Sequence, residues 1–583
     1  MRYRLSLSEL LNPPRSAPAS SGSSAGSSKP SAPSPAGPGL DAGISADSGG
    51  YFVKSSYDWS KQQLRHPIAE SDMSRPPQGP PKNLQRVQYQ FQRAAFVPDA
   101  TAKSRRDAVR DAFLRCWKSY TEHALPHDEL MPVSLIGKDT FGGWAATMVD
   151  ALDTLLIMNL KDEFNAMLPF VGALDWADTP LTSINVFETT IRYLGGLLSA
   201  YDLSGEPVIL QKAIELGDLL YVAFDTPNHM PPFWFDFKDA KRGTQQAGTS
   251  DPSASPCSLS LEFTRLSQLT GDVKYFDAIE RIKHFLERTQ DTTQLPGLWP
   301  VFIDFAREDP TKSSDFSLGA QADSLYEYLP KMSALLGGRD PAYEKMYRSA
   351  MAAAEKHILF RPMLPGSDDI LFSGNARVRD NEAADGIDTI PEGQHLGCFV
   401  GGMFGLGGKL FGIKSHIETA ERLTRGCMWA YASFPTGIMP EIFGMIPCPS
   451  LDSCSWDEDR WDSEKNHPRG FKHVRDPRYI LRPEAIESVF LLYRMTGKVE
   501  YQEAAWRMFT AIQDATATER ANSAIMDVTV SNSSATKKLD SMESFWMAET
   551  LKYFYLIFSP PDLISLDEFV FNTEAHPFKR PDR

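Results

Sequence analysis

Apolar residues recur along most of this chain with the period of a helix, and one two-helix unit returns several times. In LLSAYDLSGEPVILQKAIELGDLL (197–220), LSQLTGDVKYFDAIERIKHFL (266–286) and LLYRMTGKVEYQEAAWRMFTAI (491–512), an apolar helix end is followed by a short turn and a second amphipathic helix. Each turn holds a glycine (Gly205, Gly271, Gly497), the residue that most easily enters the left-handed region at a helix end. An alanine follows at Ala213, Ala278 and Ala504. A looser copy runs over 335–359. These are αα-hairpins, and they predict an all-α fold. Their unequal spacing and long irregular connections favour a closed α/α toroid, with loops gathered on one face, over an open solenoid.

The two ends read differently. Residues 1–50 are dominated by Ser, Pro, Gly and Ala, and burial there cannot offset the entropy of ordering, so disorder is expected. Residues 51–106, with Tyr51, Phe52, Tyr57 and Trp59, predict an extended arm leading to the body. The body (107–583) is expected to begin near Asp107, where Ala112, Phe113, Cys116, Trp117 and Tyr120 mark an amphipathic helix. At the other end, Phe545, Ala548, Leu551, Phe554 and Tyr555 predict a helix, interrupted by the acids Glu543 and Glu549 and stopped by Pro560-Pro561. A strand within 565–572 and the polar cluster 572–577 then suggest a hairpin that docks on the core or delivers oxygen ligands to a site.

Composition narrows the classes. With 583 residues, 42% of them hydrophobic, the chain can bury a large core. A net charge of −15 argues against nucleic acid as a partner. No apolar run is long enough to span a bilayer, and the N-terminus lacks the apolar core of a signal peptide. Cys448 and Cys454 stand close enough for a small-loop disulfide. Cys116 reads as a buried thiol, and Cys257 as a loop residue with no partner. Asn532-Ser533-Ser534 is a glycosylation sequon.

The acids carry the chemistry. Glu188 opens an apolar helix with Arg192 one turn on. Asp323 opens another, and Glu484 and Glu487 follow Arg482-Pro483 at the start of a third. Singly, these are an ion pair, an N-cap and acids favoured by a helix dipole. Together, in a toroid, three such helix starts would converge at one end. Several acids in one apolar cleft push their pKa values apart into a protonated acid and an ionised base, which is what glycoside hydrolysis needs.

From about residue 107 to 579 the chain resembles the class I α-1,2-mannosidases, glycoside hydrolase family 47, in its filamentous-fungal branch. The motifs run in family order: HDEL (127–130), FGGWAATMVDALDTLLIM (141–158), FETTIRYLGGLLSAY (187–201), LSLEFTRLSQLTGD (259–272), ADSLYEYLPK (322–331), HLGCFVGGMF (395–404), PTGIMPE (435–441), YILRPEAIES (479–488) and VFNTEAHP (570–577). The resemblance implies an (α/α)7 barrel plugged by a C-terminal β-hairpin. It also implies calcium-dependent, inverting removal of terminal α-1,2-linked mannose from high-mannose N-glycans by a monomeric enzyme. Glu188 matches the proposed general acid, Asp323 a second essential acid and Glu484 the general base, with the carboxyls spaced to admit a water. Arg192, His395, Arg482, Glu487, Phe545, Glu549 and Glu574 match residues that hold the sugar or the metal's waters. Thr573 matches the calcium ligand, and Cys398 and Cys427 the disulfide pair. Gln321 departs from the residues the family carries there, at a position that bears on which mannose branch is trimmed. The family works in the endoplasmic reticulum, the Golgi or outside the cell. The Ser/Pro-rich start resembles the stem that follows an anchor, so more sequence is expected before Met1. The competing readings are a catalytically silent mannose-binding lectin on the same fold and a protein-binding scaffold.

Overall fold

The structure is a computed structural model describing residues 50–581, apart from positions 83, 98, 367, 380–385 and 462–466. The segment expected to be disordered therefore falls, but for residue 50, outside the described residues. Seven inner helical segments form a closed ring: Ala146–Asp150 continued by Leu152–Ile157, Thr189–Leu194 continued by Gly195–Ser204, Ser260–Thr270, Asp323–Leu335, Phe399–Leu410, Glu484–Thr496, and Trp546–Thr550 continued by Leu551–Ile557. Each packs on an outer helix: Lys161–Ala173, Pro207–Val222, Val273–Thr289, Pro341–His357, Lys414–Ser433, Glu500–Thr516 and, for the last inner helix, Ala100–His123. This is the (α/α)7 barrel. Gly205, Gly271 and Gly497 end their inner helices at φ of 74°, 75° and 71°, as the repeat pattern predicts. The inner helices are buried almost all round, so their sequences are nearly uniformly apolar. Among the described residues, no helix is long and apolar enough to cross a membrane.

Among the described residues the first α-helix starts at Ala100, capped by the Asp99 carboxylate, rather than near Asp107. The arm before it is a fitted belt. Lys212 Nζ holds the Val53 carbonyl, and Ser55 bonds Glu215. The backbone N–H groups of Arg65 and His66 bond Asp225, and that of Ser74 bonds Asp277. Lys82 N–H then reaches the Gly337 carbonyl, Val87 N–H reaches Asp567, and Tyr89 N–H reaches the Arg494 carbonyl. Taken in order, the arm starts on the first helical pair, where Val53 N–H bonds the Gly172 carbonyl, passes the second, third and fourth, and then reaches the tail at Asp567 and the sixth pair at Arg494, burying Trp59 and Val87 on the way.

At the other end the predicted strand is shorter, because 565–568 form a turn. Phe569–Phe571 pairs antiparallel with Pro577–Lys579, and the connecting residues 572–576 sit inside the barrel. His576 lies between Asp150 and Asp153 at 3.0 and 2.9 Å. Lys552 Nζ reaches the Ala575 carbonyl at 2.7 Å. Gly195 makes the fit possible, since a Cβ there would stand 2.7 Å from the Asn572 amide nitrogen.

Cys398–Cys427 and Cys448–Cys454 are disulfides. Cys116 is a buried thiol, as expected. Cys257 is not on a polar loop: it closes the short buried helix Ala254–Cys257, packed against the core. Asn532 of the sequon is exposed.

Candidate active site

One cavity enters the ring at the end where the inner helices bearing Glu188, Asp323 and Glu484 begin. It encloses about 1200 Å³, counted out to its open mouth. Glu188, Asp323 and Glu484 all line it, with Arg192, Arg482, Glu487, Phe545, Glu549, Thr573 and Glu574. Of the predicted residues only His395 stays behind the wall. Gln321 is on the wall and Glu327 and Glu543 complete the acidic lining; Glu327 and Glu543 carried no role in the sequence reading.

Backbone geometry sets the acids. Gln321 and Leu481 both take positive φ, 76° and 69°, just before the helices that Asp323 and Glu484 open. Non-glycine residues there are held by their surroundings at a cost. The Gln321 carbonyl accepts from Ala254 N–H at 2.9 Å, and Ala320 N–H is held by Gln394 at 3.1 Å. Asp323 is not the N-cap. Ala322 takes that position, and the Asp323 carboxylate accepts its neighbour Ser324's N–H at 2.8 Å. Glu188 ends the short helical turn Val186–Glu188, Arg192 lies on the π-helical turn Thr189–Leu194 that follows it, and Trp546–Thr550 is a second π-turn, carrying Glu549. Turns of this kind re-aim side chains and recur at functional sites. Sequence periodicity does not reveal them.

Glu484 is the best-supported anion. His395 Nδ1 stands 2.9 Å from its Oε2, with the other ring nitrogen on the Tyr431 hydroxyl at 2.7 Å. Arg482 Nη1 lies 3.5 Å from Oε1, and Arg482 is itself held by Glu441. Burial pushes the Glu484 carboxyl up, but the His395 hydrogen bond and the Arg482 charge outweigh it, leaving the group below its ordinary range. Asp323 has no such partner. Burial, aided by the charges of Glu327 and Glu484 and opposed by Ser324, raises it to about 7. One cavity thus holds a carboxyl kept ionised and another that keeps a proton up to about pH 7. Arg192 Nε donates to Glu188 at 2.9 Å and Nη1 to Glu574 at 2.9 Å, while its plane faces Phe141 and Phe545.

The floor is crowded with acids. Burial is the largest cause raising Glu487 and Glu574, each to about 8, against the opposing charges of Lys331 and Arg192. Burial and the adjacent Glu574 lift Glu549 well above its usual value. Beside them Thr573 uses its N–H on the Tyr328 hydroxyl at 3.3 Å. Among the described residues its hydroxyl and carbonyl oxygens make no hydrogen bond. An all-oxygen surround rich in carboxyl groups, which a bound cation would help to ionise, suits a hard divalent cation such as calcium. Among the described residues no three acids, imidazoles or thiols converge enough to chelate an ion by themselves. The carboxylates would meet it through water.

The sequence pattern defining glycosyl hydrolase family 47 matches residues 112–580. The chain belongs to glycosyl hydrolase family 47. It is similar to a mannosyl-oligosaccharide 1,2-alpha-mannosidase of Arabidopsis thaliana, 36% identical over 487 residues, covering 82% of this chain and 80% of that protein. It is also similar to the endoplasmic reticulum mannosyl-oligosaccharide 1,2-alpha-mannosidase of Homo sapiens, 37% identical, covering 81% of this chain and 64% of that one. The solved alpha-1,2-mannosidase from Trichoderma reesei superposes with a TM-score of 0.74 at 33% identity, covering 83% of this chain and all of that one. The family 47 region starts at residue 112, so the belt of the preceding arm lies outside it.

Proposed function

We propose that this chain is a mannosyl-oligosaccharide 1,2-α-mannosidase that removes terminal α-1,2-linked mannose from high-mannose N-glycans with inversion. The observation that carries this reading is that one cavity brings together Glu484, held by His395 and Arg482, and Asp323, which has no cationic partner among the described residues. Membership of family 47 and the names of its relatives supply the substrate class.

Glu484, kept anionic by His395 and Arg482, takes a proton from the attacking water, and the freed hydroxide adds to the anomeric carbon. The glycosidic oxygen leaves with a proton from the side carrying Glu188 and Asp323, where Asp323 holds one near neutral pH. Attack by water opposite the leaving group inverts the anomeric centre. Phe545 offers an apolar face for the sugar ring. Arg192 holds Glu188 in place.

Calcium would be held by the Thr573 hydroxyl and carbonyl, with Glu487, Glu549 and Glu574 behind its waters. When bound, it supplies positive charge and orients oxygen ligands at the cavity floor. Two disulfides and a relative named for the endoplasmic reticulum support work in an oxidising, secretory compartment.

Hydrolysis of α-1,2-mannobiose followed by proton NMR tests the reaction. The first mannose released from the non-reducing end is expected as the β-anomer, before mutarotation. Release of the α-anomer would refute inversion.

A further inference from the structure

Arg192 is surrounded by carboxylates and hydrogen-bonds only two of them. Its Nε bonds Glu188 at 2.9 Å and its Nη1 bonds Glu574 at 2.9 Å, while Asp150 Oδ2 stands 3.8 Å from Nη1. The Ser544 hydroxyl fills that gap. It accepts from Arg192 Nη1 at 3.2 Å and donates to Asp150 Oδ2 at 2.5 Å. Ser544 and Asp150 are both fully buried, and Ser544 does not line the cavity. Its backbone is fixed as well, since its N–H bonds Glu129 at 3.3 Å and its carbonyl receives Ala548 N–H.

We propose that Ser544 is a positioning residue: its hydroxyl is a spacer that keeps Arg192 on Glu188 and Glu574 by holding it off Asp150. Asp150 is a buried carboxylate whose other oxygen faces His576 at 3.0 Å. Take the hydroxyl away and Asp150 Oδ2 loses its donor. An unpaired buried oxygen next to a guanidinium is a strong attractor. Arg192 then closes the short distance to Asp150, and its Nε swings off Glu188, which sits at the cavity wall and has no other cationic partner among the described residues. Arg192 lines the cavity and Ser544 does not, so the influence of Ser544 on the chemistry passes through Arg192. This inference rests on the glycosidase reading for its kinetic consequence, but not for its geometry.

The test compares Ser544→Ala with Ser544→Thr on α-1,2-mannobiose, with crystal structures of both. In Ser544→Ala, kcat is expected to fall by about tenfold or more, the scale of a lost hydrogen bond to a charged group. KM should change less than kcat, because Ser544 itself lines no part of the cavity. Ser544→Thr, which restores the hydroxyl, should recover most of kcat. In the Ser544→Ala structure Arg192 should pair directly with Asp150 and leave Glu188. Arg192 found still on Glu188 would overturn the inference whatever the activity. So would an unimpaired Ser544→Ala, or a Ser544→Thr as impaired as the alanine variant. If the wild type releases no mannose at all, the reading of the function fails, and the Arg192 position still decides the inference.

Discussion

His395 and Glu484 meet 2.9 Å apart although 89 residues separate them in the chain. The imidazole is fully buried, and its second nitrogen is occupied by the Tyr431 hydroxyl. The contact lowers the pKa of Glu484, and a base must be ionised to act. Removing the imidazole takes away the strongest influence opposing burial. In His395→Phe the Glu484 carboxyl should therefore titrate higher, and the acid limb of the kcat/KM profile should move to higher pH. An acid limb that stays in place would show that His395 does not tune the base.

Asp323 sets the opposite limb. Burial raises its carboxyl to about 7, so its proton is present below that pH and lost above it. The rate should decline as pH rises through about 7, and Asp323→Asn should abolish this limb along with most of the activity. A profile that stays flat well above neutrality would contradict the assignment. The sign for stability agrees: a raised acid in the folded state favours folding at low pH and costs stability once it must ionise.

Calcium should raise the melting temperature and a chelator lower it, because a cation bound only by the native state stabilises by roughly 2.7 kcal/mol at a hundredfold excess over Kd. Without it, burial above all holds Glu487, Glu549 and Glu574 above their ordinary range. Thr573→Val removes the hydroxyl oxygen and should largely erase the shift in differential scanning calorimetry. An equal calcium shift in the variant would remove Thr573 from the site.

The belt makes a prediction about boundaries. A chain starting at residue 99 keeps the whole family 47 region but loses the bonds to Glu215, Asp225, Asp277 and Asp567 and the buried Trp59 and Val87. It should melt lower by about 5 °C or more, given what several buried contacts are worth. A chain starting at residue 50 should melt like the full protein. Equal melting of all three would mean that the belt is an ornament of the surface.

Much of this was legible in the residues themselves. Glycine at helix ends gave the hairpins, and acids at three helix starts marked one end of the ring, where Glu188, Asp323 and Glu484 do line one cavity. The rest depends on distance in the chain. Nothing near His395 announces Glu484, and nothing near Ser55 announces Glu215. The π-turns at Thr189–Leu194 and Trp546–Thr550 leave no periodic trace, because each lasts less than two turns. Glu327 could have been found: it lies four residues after Asp323, on the same helical face and one turn before Lys331. Cys257 was misplaced because Ser, Pro and Ala around it read as a loop, while the core covers that short helix from outside its own sequence.

The central claim is that Glu484 is the base of a mannosidase. The measurement that tests it most directly is mannose release from a Man9-type N-glycan by the calcium-loaded wild type and by Glu484→Gln. Glutamine keeps the size and the contact with His395 but cannot accept the water's proton. The expected result is release by the wild type and a fall in kcat of roughly 10²–10⁴-fold in the variant, the usual worth of a general base. A folded Glu484→Gln that releases mannose as fast as the wild type would contradict the account.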